Sequence, residues 1–460
     1  FFNIGERRNY EWMAKWILDP KSTRASVHMP KLLHGPNAME DAKAMATFLS
    51  DRTPEHQQAI AEVTKRSEVT AGREQPADQE RKPIFERLHC IGCHDALGGG
   101  QSDPAKISLK HVAQKFSDGR LAEFLSEPEK HFTWIRMPNF KLSAAEAKEL
   151  AGWLLKRADK ADGKPAPRDM AILERGQQLV RDLGCLNCHA GKIANNFSTV
   201  GLAKLAKEAK GCLAEKRDEK SKAPDFGFGA KERDALVTFL KTDFAALSRH
   251  SPLEFAARET RLLNCAACHG QIDLIPPLDV LGGKLKPEWA VSFLGGEPFK
   301  VRADKHPKGE PWVEARMPAF KSRAQLMGES MAMQQGYSPK TSPEGPIDED
   351  AAKVGHRMLG KDNGLSCVSC HAVNDLPALE VFESEGPNLG LTSARLLKPY
   401  FFRWLRNPLA IDPQTKMPAY FEDGKSVLTD YYEGDGEKQI NALYEYIRQG
   451  EKMAAPATGQ

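Results

Sequence analysis

Residues 169–189 read DMAILERGQQLVRDLGCLNCH, a segment that ends in a Cys-x-x-Cys-His pentapeptide. Its apolar residues recur at the spacing of one helix face, as at Ile172, Leu179 and Leu183, which predicts an amphipathic helix. The same order recurs along the 460-residue chain, which carries four such pentapeptides: CIGCH (90–94), CLNCH (185–189), CAACH (265–269) and CVSCH (367–371). The chain is therefore organised by repetition.

A Cys-x-x-Cys-His pentapeptide is typical of c-type haem attachment, in which both thiols bond to the haem vinyl groups and the histidine ligates iron. The alternatives are a structural zinc site, a redox pair or a disulfide. A zinc ribbon needs a second Cys-x-x-Cys about 15–20 residues further on, and these motifs lie much further apart. The sequence therefore predicts four covalently bound haem c groups, held by Cys90, Cys93, Cys185, Cys188, Cys265, Cys268, Cys367 and Cys370.

A second motif follows three of the four histidines. It is a Met-Pro loop, which reads RMPNF at 136–140, RMPAF at 316–320 and KMPAY at 416–420. Helix-like segments stand on both sides of each loop. The predicted order is helix, pentapeptide, loop, helix, Met-Pro loop, helix, which indicates an all-α fold.

This order resembles the class I, mono-haem cytochrome c domain, repeated in tandem. The sequence of the repeats is also similar to that of multi-domain cytochromes of planctomycete-type bacteria. The resemblance implies that the Met-Pro methionine is the sixth iron ligand. The implied ligand pairs are His94 with Met137, His269 with Met317 and His371 with Met417. It also implies that a proline carbonyl orients the histidine, through Gly386-Pro387-Asn388-Leu389 and the related Pro276-Pro277-Leu278.

The second repeat departs from this pattern. Residues 221–229 read SKAPDFGFG, and Ala223 stands where the other repeats have methionine. Haem two is therefore left with His189 and an unassigned sixth position, which water, no ligand or a side chain from elsewhere could fill. Possible substitutes are Cys212 and the histidines outside the motifs: His28, His34, His56, His89, His111, His131, His250, His306 and His356.

Residues 3–51 show the converse. They match the second half of a repeat and carry Met29, but no pentapeptide precedes them. Three interpretations stay open: an upstream segment or separate chain completes this half, Met29 reaches haem two, or the half is vestigial and packs on its neighbours. Its apolar face needs a partner in any case. The chain begins at Phe1 rather than methionine, so we expect a processed or partial chain.

Six stretches are predicted. They are a half-domain at 1–51, a linker at 52–80, and four haem domains at 81–160, 168–250, 251–338 and 348–450.

Composition sets limits on function. A net charge of +3 gives no support for nucleic-acid binding, and no apolar run is long enough to span a membrane. Because c-type haem is attached outside the cytoplasmic membrane, we expect a periplasmic or otherwise exported protein. The predicted function is electron transfer between redox partner proteins or within a larger complex. The alternatives are a haem peroxidase or small-molecule reductase that uses an open haem two, and a relay subunit that docks through residues 1–51.

Overall fold

The computed structural model describes residues 3–51, 82–95, 106–161, 165–191, 193–196, 199, 201, 204–205, 211–216, 221–242, 244–249, 251–272, 275–297, 315–381 and 385–458. Helices dominate these residues, and the named strands β1(Phe421–Glu422) and β2(Lys425–Ser426) form one short antiparallel hairpin. The predicted all-α class is confirmed at this level. The predicted linker at 52–80 lies outside the described residues.

The α-helices are α1(Ile4–Arg7), α2(Tyr10–Leu18), α3(Pro20–Thr23), α4(Ala38–Ser50), α5(Ile84–Arg87), α6(Val112–Lys115), α7(Arg120–Ser126), α8(Ala144–Leu155), α9(Met170–Asp182), α10(Ala230–Leu240), α11(Ala245–Ser248), α12(Pro252–Leu262), α13(Leu278–Leu281), α14(Pro287–Gly295), α15(Ala324–Gln334), α16(Glu349–Leu359), α17(Thr392–Arg395), α18(Lys398–Arg406), α19(Pro408–Ile411) and α20(Gly436–Ile447). In the described part of the chain, no helix has the length and apolar character needed to cross a bilayer.

The chain divides into two compact units. The first contains residues 1–86, 93–127 and 142–250, and the second contains residues 87–92, 128–141 and 251–460.

In the second unit, the helix before a pentapeptide packs against the helix after the Met-Pro loop. Helix α16 packs on α20, and α12 packs on α15. Gly355 of α16 lies directly against the Ala442 carbonyl, where a Cβ would overlap the oxygen. The close approach buries Met358, Ile440 and Tyr446 in one core, and it requires glycine.

In the first unit, α9 packs on α4 in the same way. Gly176 lies against the Ala44 carbonyl with no room for a Cβ, and Phe48 closes over it. Val180 and Cys185 join the apolar core of residues 3–51. The first helix of the predicted haem domain at 168–250 therefore packs on residues 3–51, and the domain assignment itself stays a prediction. Helix α10, which was expected to fill that place, buries only Leu240 along its length.

Residues 3–51 also pack against α6 in the first unit. The Asn9 side-chain amide donates to the carbonyls of Ala113, Gln114 and Phe116 at 3.0–3.2 Å. Burial, together with repulsion from Arg8 and Arg24, lowers the pKa of Lys115 to about 7. The predicted apolar face is covered within the chain, since Ile17 and Phe48 are buried.

Replacing Gly176 tests the crossing of α9 and α4. We expect Gly176→Ala to destabilise the first unit by about 1–3 kcal/mol, because the new methyl group overlaps a backbone carbonyl. Gly355→Ala should do the same to the second unit. Gly152→Ala is the matched control, since nothing lies within 4 Å of that position in α8 and alanine favours a helix. Chemical denaturation measures all three, and equal stability of Gly176→Ala and Gly152→Ala would contradict the crossing.

The lowered pKa of Lys115 predicts a pH dependence. The folded pKa lies below the unfolded value of about 10.4, so between these values the unfolded chain binds the proton more strongly and stability rises with pH. Between about pH 6 and about pH 9, the free energy of unfolding of the native chain should rise by on the order of 1–2 kcal/mol more than that of Lys115→Met, after allowance for solvent screening. Urea denaturation of both chains at both pH values measures this difference, and parallel curves would contradict it.

Candidate functional site

All four pentapeptides adopt the same backbone turn. Their first three residues form the 3-10 turns Cys90–Gly92, Cys185–Asn187, Cys265–Ala267 and Cys367–Ser369. The residue before each turn is left-handed, with φ of 55° at His89, 68° at Gly184, 53° at Asn264 and 56° at Ser366. A single left-handed residue costs little beside the structure that holds it. At Gly184 and Asn264 it lies two residues beyond the last residue of the preceding helix, where it ends that helix. Both cysteines and the histidine therefore follow one another on one tight turn.

The cysteines are thiols, and none of the nine is in a disulfide. Burial raises the pKa of Cys185 to about 11 and that of Cys367 to about 12, so both stay protonated at neutral pH. In the described residues, no cluster of three or more Cys, His, Asp or Glu side chains is arranged to hold a metal ion.

Three of the four histidines are oriented by a backbone carbonyl. Nδ1 lies 2.8 Å from the Pro276 oxygen in His269, 2.8 Å from the Pro387 oxygen in His371, and 3.1 Å from the Ile107 oxygen in His94. A carbonyl only accepts, so Nδ1 carries the proton and Nε2 carries the lone pair, which is the tautomer of a metal-ligating histidine. The two proline contacts follow the predicted motif. The sequence did not predict Ile107, because any residue can supply a carbonyl. At the fourth histidine, His189, burial lowers the pKa, which favours the neutral, ligating form.

Gly386 forms a cradle for the His371 ring. A Cβ at this position would overlap the imidazole, and the backbones of both residues form a parallel β-bridge.

We expect Gly386→Ala to displace the ring. With haem attached, the variant should lose low-spin signal equivalent to one haem, while Gly345→Ala, which has open space around it, should not. Electron paramagnetic resonance of the oxidised protein measures this, and an unchanged spectrum would contradict the cradle.

The Met-Pro methionines lie in different surroundings. Met417 and Cys367 both pack against one core, and so do Met317 and Cys265. Met137 belongs to the second unit, as does Cys90, whereas Cys93 and His94 belong to the first. Each of Met29 and Met417 accepts a hydrogen bond from a tryptophan 13 residues earlier: Trp16 Nε1 at 3.1 Å and Trp404 Nε1 at 2.9 Å.

The turns of the first and third pentapeptides contact each other within the second unit. The Asn264 side-chain amide donates to the Gly92 carbonyl at 2.5 Å, and a Cβ on Gly92 would come within 2.9 Å of the Ala267 methyl group. The sequence did not predict which pentapeptides lie side by side. No pattern in either pentapeptide marks its partner.

The Met-Pro loops of the same two repeats are also paired. Asn139 and Ala319 exchange two backbone hydrogen bonds at 3.0 and 2.7 Å. Arg323 is buried, forms an ion pair with Glu259 at 2.7 Å, and donates to the carbonyls of Trp134 and Ile135. These contacts fix the register of one Met-Pro loop against the other.

Ala223 lies in a loop that pairs in the same manner. Lys31 and Asp225 exchange two backbone hydrogen bonds at 2.9 Å, and the Lys21 amine donates to the Phe226 carbonyl. Each partner stands two residues after the Met29 or Ala223 position. The structure therefore brings the loop with methionine and the loop without it together in the first unit.

Two of the other candidate histidines have hydrogen-bond partners in the described residues. His111 Nδ1 contacts Gln114, and His356 contacts the Ala455 carbonyl. Burial raises the pKa of Cys212, which disfavours a thiolate ligand. His56, His250 and His306 lie outside the described residues.

No family model, curated protein or solved structure matches the chain.

Proposed function

We propose that this chain is a tetrahaem c-type cytochrome that transfers electrons and is exported from the cytoplasm. The observation that carries the proposal is the contact between two attachment turns, Cys90–Gly92 and Cys265–Ala267, through Gly92 and Asn264. Groups bonded to these turns would be close neighbours. Close, fixed redox centres are what an electron carrier needs.

The residues of the sites would act as follows. Haem supplies one-electron chemistry at iron, and the protein supplies attachment, orientation and axial ligands. The assigned residues are Cys90, Cys93, His94 and Met137 for haem one; Cys185, Cys188 and His189 for haem two; Cys265, Cys268, His269 and Met317 for haem three; and Cys367, Cys370, His371 and Met417 for haem four.

Histidine and methionine ligation suits a carrier. The two ligands fill both axial positions, so substrate has no place to bind, and a thioether ligand raises the reduction potential. The carbonyls of Ile107, Pro276 and Pro387 hold three of the histidines in the ligating tautomer. A fixed ligand set changes little when an electron arrives, which favours rapid transfer.

A second junction within the second unit extends the pathway from repeat three to repeat four. Leu285 and Leu396 form a backbone bridge, and both pack in a cluster with Tyr400. Trp404 joins this cluster and also donates to Met417. The proposed spatial order therefore runs from haem one to haem three and on to haem four.

The first test is haem content. The full chain, matured in a host that attaches haem c, should gain four haems by intact mass, and each Cys-to-Ala double variant of one pentapeptide should lose one. Zinc in place of haem, or fewer than four haems, would contradict the proposal. Carbon monoxide and cyanide then distinguish the carrier from the reductase or peroxidase alternative, because saturated irons bind neither.

The second test concerns the pair of turns. Removing haem one with C90A/C93A should shift the reduction potential of haem three, because a charged neighbour in contact with its attachment turn is lost. Removing haem four with C367A/C370A is the matched control and should shift haem three less, since repeat four contacts repeat three away from the pentapeptide. Equal shifts in a spectroelectrochemical titration would contradict the pairing.

A further inference from the structure

We propose that Met29 is the sixth ligand of haem two, so that residues 3–51 and 169–189 build one haem pocket from two separate stretches of the chain. The inference rests on the proposed function, because it requires haem on Cys185 and Cys188. It concerns this chain's own arrangement, in which a methionine without a pentapeptide and a pentapeptide without a methionine meet in the first unit.

The first argument is the helix crossing. Gly176 of α9 lies against the Ala44 carbonyl with Phe48 above it, and Gly355 of α16 lies against the Ala442 carbonyl with Tyr446 above it. In both crossings, the glycine is in the helix before a pentapeptide, and its partners are four residues apart in a helix that follows a Met-Pro sequence. Helix α4 therefore packs on the helix before Cys185 in the way that α20 packs on the helix before Cys367.

The second argument is the path of the chain into the Met-Pro loop. Helices α2 and α18 both have nine residues, and α3 and α19 both have four and begin with proline. The residue before that proline caps the short helix in both copies: Asp19 accepts from the Ser22 amide, and Asn407 accepts from the Ala410 amide. The tryptophan–sulfur hydrogen bond then completes the match.

The third argument is the shared core. Cys185 is buried in the apolar cluster formed by residues 3–51, together with Ile17 and Leu33. Leu33 follows Met29 by four residues, and Leu32 also packs against the cluster. The chain segment that carries Met29 and the turn that carries the thiols thus belong to the same core.

The fourth argument explains Ala223. The bridge between Lys31 and Asp225 repeats the bridge between Asn139 and Ala319, in which each loop contributes its own methionine. In the first unit, one loop of such a pair carries Met29 and its partner carries Ala223. The Ala223 loop therefore supports the Met29 loop through the backbone and needs no ligand of its own.

Spectra of the haem-loaded full chain test this assignment. The native protein should show the sulfur-to-iron charge-transfer band of four methionine-ligated haems, and it should bind no carbon monoxide. Met29→Ala should lose a quarter of that band, and one haem per chain should then bind carbon monoxide. Met29→His should restore low-spin iron without the band and lower one reduction potential, which keeps the test valid if Met29→Ala fails to fold.

The controls locate the effect. Met417→Ala should give the same loss at haem four, and His28→Ala, which removes the neighbouring side chain, should give none. In a C185A/C188A background, Met29→Ala should change nothing further. Ala223→Met should leave the native spectrum unchanged.

Two results would overturn the proposal. One is an intact band in Met29→Ala, and the other is a native chain with three methionine-ligated haems in which Ala223→Met adds a fourth. If the haem count by mass is not four, the proposed function fails instead. If the count is four but Met29→Ala leaves the charge-transfer band unchanged, only this inference fails.

Discussion

A helix crossing without an intervening side chain is the constraint on which the described pockets depend. At Gly176 and Gly355, the absent Cβ lets the helix before a pentapeptide touch the backbone of the helix after a Met-Pro loop. That contact fixes the attachment turn relative to the loop with the methionine. It needs only a compatible pair of helices, and it does not require that the pair be consecutive in the chain. In the proposed function, a haem domain is therefore defined by the crossing and not by sequence continuity.

Local features of the sequence predicted local structure well. The attachment turns, the helices around the Met-Pro loops and the proline carbonyls at His269 and His371 lie where the motifs place them. The partner of α9 could not be predicted in the same way, because α4 and α10 both have the pattern of a last helix. The choice depends on tertiary packing around Gly176, which a hydrophobic period does not encode. The contact of the Ile107 carbonyl could not be predicted from the sequence either, because any residue supplies a backbone carbonyl.

The substitution at Ala223 follows from this separation of roles. In the proposed function, a Met-Pro loop has two tasks, which are to offer sulfur to iron and to pair with another loop through its backbone. Asp225 retains the second task through its two hydrogen bonds to Lys31, and these do not depend on the side chain at 223. The surrounding proline and aromatic residues still shape the loop.

The contact between repeats one and three shows how a fixed register is obtained between two Met-Pro loops. The buried pair of Arg323 and Glu259 pays a desolvation cost, so it contributes little net stability, but its geometry allows one docking of residues 134–135 and excludes shifted ones. Two backbone bonds between Asn139 and Ala319 impose the same alignment independently. The rate of electron transfer falls steeply with distance. A junction that permits only one alignment therefore gives one rate, whereas an apolar interface of equal area permits many alignments. Specific polar contacts at this junction are therefore what an electron-transfer function requires of it.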